Sequence, residues 1–264
     1  MLRLALAMLR RDLQEARSRP VGMIQQVSAM AVVLAVLLGI DALWTHPQGG
    51  AVPGSYFLYA LFGIMGLDLL WHAAVVFSDR THAAWRAGLL DTCATGPIKP
   101  WWAIVVQPVT PLALCLTRLL AYGVMAAALR PTELSLHQLP VAGLFVAMGL
   151  LVFFSWGALC SALGVWMRVP DPLGRTLAGL SILTGGVFFP VTLLPDGLEG
   201  VVRWFPLTAL LDGMRGALLH GNGLMELASP LLRLGTMAAL GPVILWCALV
   251  ALQRQLRHMK PPNN

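Results

Sequence analysis

Asp68 and His72 stand four residues apart, so on a helix they share one face. Arg118 lies within a separate apolar stretch, from which it can neutralise Asp68. In hydrocarbon such groups are costly, and they gather where they pair with one another or serve a path for substrate, ions or protons. Both readings stay open here: a structural pair inside a bundle, or groups that handle substrate or protons. Two ligands, Asp68 and His72, do not make a metal site, so no metal is expected. The four cysteines, Cys93, Cys115, Cys160 and Cys247, form no C-x-x-C pair. They are expected to be small apolar packing residues.

Other chemistry is sparse. Ser155 and Ser161 have no G-x-S-x-G elbow around them, and His46, His137 and His220 fall in loops. No catalytic residue is expected, and an intramembrane enzyme is the weakest reading. No G-x-x-x-x-G-K-[ST] stretch occurs in the 264 residues, so they hold no phosphate-cradling loop of the usual kind.

The elements that must position these side chains follow from composition. The chain is 58% hydrophobic and 11% charged, with a mean hydropathy of +0.75. Soluble domains carry about 25% charged residues, so too few polar groups remain to clothe a soluble surface. Disorder is excluded as well, because it needs low hydrophobicity. An all-α polytopic membrane protein remains, since helices satisfy their own backbone in lipid. A crossing takes about 20 apolar residues. Six stretches qualify: Val21–Ile40, Gly54–Ser78, Trp101–Leu129, Val141–Trp166, Leu173–Leu194 and Leu231–Leu252.

With the N-terminus placed in the cytoplasm, thirteen basic residues fall inside and four outside, as the positive-inside rule requires. Both termini are then cytoplasmic. The net charge of +6 is a topology signal, and no nucleic-acid partner is implied. Trp44, Trp101, Trp102, Trp166 and Trp204 sit at span ends, where amphipathic rings favour the headgroup layer. Trp71, Trp156 and Trp246 fall inside spans as packing residues, with a substrate-lining role as the alternative. Residues 1–19 place Leu2, Leu6, Leu9 and Leu13 opposite Arg10, Arg11, Asp12, Glu15 and Arg17, the pattern of an amphipathic interfacial helix.

Two segments are not simple spans. Residues 79–100 form the longest internal loop, in which Ala83–Asp91 is expected to make a short helix closed by Gly96-Pro97. This is either a surface docked against another protein or a plain interfacial connector. The second segment opens with Gly185-Gly186-Val187-Phe188-Phe189-Pro190 and runs through Leu194-Pro195 to Phe205-Pro206-Leu207-Thr208 and Asp212-Gly213-Met214-Arg215. Pro190 and Pro195 should break the end of the fifth span. Beyond them, residues 195–230 are apolar but interrupted, which suits short helices dipping into the outer leaflet.

In this order the two segments resemble the type-2 ATP-binding-cassette (ABC) exporter permease family. That family shows Gly-Thr-Leu-Glu ending in Thr-Pro after the second span, and this chain has Gly88-Leu89-Leu90-Asp91 followed by Gly96-Pro97. It also shows Gly-x-Phe-Phe-Pro, Leu-Pro, Asn-Pro-Leu-Thr and Asp-x-x-Arg near the fifth span. Gly186–Pro190, Leu194-Pro195, Pro206-Leu207-Thr208 and Asp212–Arg215 follow that pattern. The first block departs from it, since Thr and Glu are replaced by Leu89 and Asp91.

The resemblance covers nearly the whole chain and implies a single permease domain over residues 1–264. It implies that Ala83, Trp85, Arg86, Gly88, Leu89, Leu90, Asp91 and Pro97 form the coupling helix that seats on a separate ATPase. Phe189, Pro190, Pro195, Pro206, Leu207, Thr208, Asp212 and Arg215 would hold the re-entrant region together. The partners implied are two ATPase subunits, which bind ATP and Mg, a second permease copy and membrane lipid. This chain would carry no cofactor. The expected location is the cytoplasmic membrane of a bacterium or archaeon, and the expected cargo is a hydrophobic or amphipathic small molecule, lipid or glycolipid. A non-transporting scaffold or receptor-like protein is the alternative.

Overall fold

The computed structural model describes residues 20–44, 55–87, 109–167 and 172–258, with side chains in the first helix described from Ser28 onward. Among the described residues the chain is all helical, with no strand. We number the helices α1 (Pro20–Trp44), α2 (Tyr56–Arg86), α3 (Val109–Leu129), α4 (Leu139–Met167), α5 (Pro172–Thr184), α6 (Asp196–Val202), α7 (Pro206–Leu218) and α8 (Ala228–His258). Single 3-10 turns at Pro131–Glu133, Leu136–Gln138 and Val191–Leu193 lie between them.

Four of these elements are long and apolar enough to cross a membrane: Tyr56–Arg86, Pro111–Leu129, Leu136–Met167 and Ala228–Ala251. α2 has 31 residues and so extends about 46 Å at 1.5 Å per residue. The apolar part of α1 described with side chains, Ser28–Leu43, is shorter. The fifth expected span is corrected. Instead of a helix over Leu173–Leu194, α5 has 13 residues, about 20 Å, less than the roughly 30 Å of a hydrocarbon core. It stops where Gly185-Gly186 turns the chain, with Gly186 in the left-handed region at φ 71° that glycine alone takes without cost.

The expected start of the loop at Asp79 is corrected too, while residues 88–100 lie outside the described residues. α2 runs without interruption to Arg86, so Ala83–Arg86 is its last turn and not the start of a separate helix. No glycine or proline stands between Gly66 and Gly88 to stop it. Within α2, Trp71–Val76 winds as a π-helix, a widened turn that often marks a functional position.

α2 is the central helix, packed by α1, α3, α4 and α7, while α4 also carries α8 along its length. Lipid is as apolar as a leucine core, so close packing rather than water exclusion must hold such helices together. Glycines allow the close approach. A Cβ on Gly157 of α4 would stand 2.6 Å from the Ala73 carbonyl oxygen and 2.9 Å from the Ala74 Cα, both in the π segment of α2. Phe57, Phe62, Phe145, Phe153, Leu210 and Leu211 fill the space between α2, α4 and α7 and are buried.

The two ends of the bundle are tied differently. At one end Asp41 of α1, 4% exposed, accepts hydrogen bonds from Arg130 Nη2 at 2.7 Å, Ser55 Oγ at 3.2 Å and the Phe57 amide at 3.0 Å. Glu133 accepts from the Ser55 amide and from Arg130 Nη1, so the ends of α1 and α3 and the start of α2 are joined. At the opposite end Arg175 of α5 bridges Asp79 of α2 at 2.8 Å.

Candidate functional site

Two polar centres lie along α2. The first is built on Arg215 of α7, which is 6% exposed. α7 starts with Pro206 at its first turn, where the missing amide hydrogen costs nothing. Thirteen residues of helix then carry Arg215 to the α2 side. There its Nη1 donates to the Gly186 carbonyl at 2.7 Å and its Nη2 to the Val187 carbonyl at 2.9 Å. Nη2 and Nε also donate to the Tyr59 carbonyl of α2, at 2.7 and 3.2 Å. The guanidinium lies 3.5 Å above the centre of the Tyr59 ring, a cation–π contact, and the Tyr59 hydroxyl donates to the Gly186 carbonyl at 3.2 Å.

Arg215 thus joins three pieces: α7, the chain after α5, and α2. Buried carbonyls that have left their helix need donors, and Arg215 supplies them from one rigid fork. A guanidinium is too strong a base to lose its proton in a protein, so Arg215 stays cationic at neutral pH. A Cβ on Gly63 would stand 2.9 Å from Arg215 Nη2 and closer still to the Val187 carbonyl oxygen, so the clamp requires glycine there.

The other residues expected in this region are distributed around the clamp. Pro190 and Pro195 precede the turn Val191–Leu193 and helix α6. Leu207 and Thr208 are buried at the start of α7, with the Thr208 hydroxyl left without a partner, and Phe189 is 38% exposed. Asp212 lies on the exposed face of α7 toward Arg203 and Arg233, while the partners of Arg215 are main-chain carbonyls.

The second centre contains the expected intramembrane trio and a residue assigned only to packing. Asp68 and His72 sit on α2 immediately before and within the π segment. Arg118 of α3 reaches Asp68 Oδ2 at 3.2 Å and His72 Nε2 at 2.6 Å, both through Nη2. His72 Nδ1 lies 2.9 Å from the Asp68 carbonyl oxygen, one helical turn back. Arg118 Nη2 also lies 3.1 Å from His72 Nδ1, so the guanidinium rests against the ring and contacts both of its nitrogens. The fourth member is Cys115 of α3, fully buried, whose Sγ lies 3.7 Å from Asp68 Oδ2. Cys115 is three residues before Arg118, so helical spacing on α3 carried the signal, but nothing in sequence related it to Asp68. The side chains of Asp68, His72 and Arg118 are 16–23% exposed. Arg118 Nε is buried without a partner.

Of the residues assigned to docking, Gly88, Leu89, Leu90, Asp91 and Pro97 lie outside the described residues. Ala83 and Arg86 are exposed. Trp85 is corrected as a surface residue: it is 4% exposed, packed against Ala158, Ala162, Val165 and Ala248 of α4 and α8, because the continued helix turns it inward. Trp156 lines a small cleft between α2, α4, α5 and the start of α7, together with Leu70, Ala74, Phe153, Leu177 and Phe205. The Ser181 hydroxyl in its wall already donates to the Leu177 carbonyl at 2.7 Å, so the cleft presents an apolar surface. Ser155 and Ser161 likewise donate to carbonyls one turn back on α4. No protein-family model matches the chain, and no curated protein matches it in sequence.

Proposed function

We propose that this chain is the membrane-spanning permease subunit of an ATP-driven ABC exporter. The observation that carries the reading is the broken segment after α5. The stretch Gly186–Pro190 and the Asp212–Arg215 stretch, 22 residues beyond Pro190, belong to one sequence pattern, and Arg215 binds the carbonyls of Gly186 and Val187. On this reading α6 and α7 are re-entrant helices on the outer side, since the exposed backbone of a broken span must be satisfied by protein at membrane depth.

An even number of crossings with both termini inside is the topology that the distribution of basic residues supports, and four helices are long and apolar enough to make them. Hydrolysis falls to two separate ATPase subunits, because these residues contain no phosphate-binding loop. ATP-driven closure of those subunits would bias two permease copies between inward and outward forms. The cargo is hydrophobic or amphipathic, in keeping with the apolar cleft beside Trp156. Docking on the ATPase falls to the chain that follows Arg86, together with the exposed side of the last α2 turn.

The test is co-purification and transport. The tagged chain should bring down a P-loop ATPase, and reconstituted vesicles should move a lipophilic substrate only with ATP. A chain that retains no ATPase and a flux indifferent to ATP would refute the reading.

A further inference from the structure

We propose that Asp68, His72 and Cys115 form a binding site for a thiophilic divalent cation of the Zn2+ class, with Arg118 holding the place of the metal in its absence. One ligand atom from each of the three residues lies within 4.8 Å of the others. Thiolate, imidazole and carboxylate are the donors Zn2+ takes, in a tetrahedron whose bonds of about 2.0–2.3 Å set ligands about 3.3–3.8 Å apart. The Cys115 Sγ to Asp68 Oδ2 distance of 3.7 Å already matches such an edge.

His72 Nδ1 lies 2.9 Å from the Asp68 carbonyl oxygen, a partner that can take the Nδ1 hydrogen when Nε2 ligates a metal. Arg118 Nη2 lies 2.6 Å from Nε2 and 3.1 Å from Nδ1 of His72, against the ring, and 3.2 Å from Asp68 Oδ2. A cationic nitrogen therefore already sits between the imidazole and the carboxylate.

Charge balance permits the exchange. With Arg118 in place, the carboxylate and guanidinium cancel. With Zn2+ in place, Cys115 gives its proton to solvent, and carboxylate plus thiolate cancel the two charges of the metal. Arg118 keeps its charge, so the metal-bound site is neutral once the guanidinium has swung out of it toward solvent. Arg118 is loosely retained, since its Nε has no partner and its side chain is 23% exposed. The metal would cross-link α2 to α3 directly before the π segment. The inference stands independently of the transport reading.

Co2+ is the probe, added to the metal-free full chain in detergent micelles. The expected result is a near-ultraviolet thiolate-to-Co2+ charge-transfer band, one proton released per metal, and loss of the band on adding Zn2+. Cys115→Ser should abolish the band, and His72→Gln, which keeps every thiol, should weaken binding. Arg118→Met, which removes the competing cation, should tighten it. No band in the wild-type chain, or an unchanged band in Cys115→Ser, would overturn the site. Binding unaltered in His72→Gln would overturn it also, and binding no tighter in Arg118→Met would remove the placeholder role of Arg118.

Discussion

Arg215 and Arg118 are both arginines set against α2 in the apolar body of the protein, yet they are held in opposite ways. Arg215 is 6% exposed, and all three of its nitrogens donate to carbonyls. Arg118 is 23% exposed, meets its partners through Nη2, and leaves Nε without a partner. The first arrangement is the more fully satisfied, with four hydrogen bonds directed at buried backbone carbonyls. The second holds titratable and metal-binding side chains in reach of one another with capacity left over. A fully satisfied polar group specifies a structure, and an under-satisfied one is free to exchange partners.

The widest separation between the two should come from truncating each arginine. Arg215→Met removes four hydrogen bonds to the buried carbonyls of Gly186, Val187 and Tyr59, at a cost of about 3–5 kcal/mol, comparable with breaking a buried ion pair. The unfolding midpoint in detergent reads this, and Arg215→Lys should recover little, because an ammonium cannot reproduce the fork. A loss no larger than that of Arg118→Met would end the distinction. Gly63→Ala tests the clamp from the α2 side. Its methyl group must displace the Val187 carbonyl or the guanidinium, at about 1–3 kcal/mol in the same measurement.

At the second centre, a cycle of Asp68→Asn and Arg118→Met should give a coupling of about 1 kcal/mol, at the low end for contacting charges because both are partly exposed. A coupling as large as the Arg215 effect would make the second centre equally structural. The smallest effect is expected at the exposed i,i+4 pair of Arg203 with Glu199 on α6. Arg203→Ala should move stability by about 0.3–0.5 kcal/mol, and less in high salt.

Particular residues show how far the sequence could be read. Asp68, His72 and Arg118 were legible because charge is rare in apolar runs and helical spacing puts the first two on one face. Cys115 was not, since a cysteine in a span looks like any small packing residue until a second helix is laid against it. The end of α2 was misplaced at Ser78 because hydrophobicity falls there. Helix propensity does not fall with it, and the side of the helix bearing Trp85 is covered by α4 and α8. The network of Asp41, Ser55, Arg130 and Glu133 was not legible in the sequence. Which of them would meet depended on how α1, α2 and α3 pack.

Sequence by itself determined the helical class, four of the stretches able to span a membrane, and the break after α5. These are local properties: twenty apolar residues, a glycine pair and two prolines act through their own backbone and nearest neighbours. Tertiary structure alone decided where the carbonyls freed by that break find their donors, and which side chains surround Asp68. Carbonyls carry no residue signature, and contacts between helices depend on crossing geometry fixed by close approaches such as Gly63 at Val187 and Gly157 at Ala73.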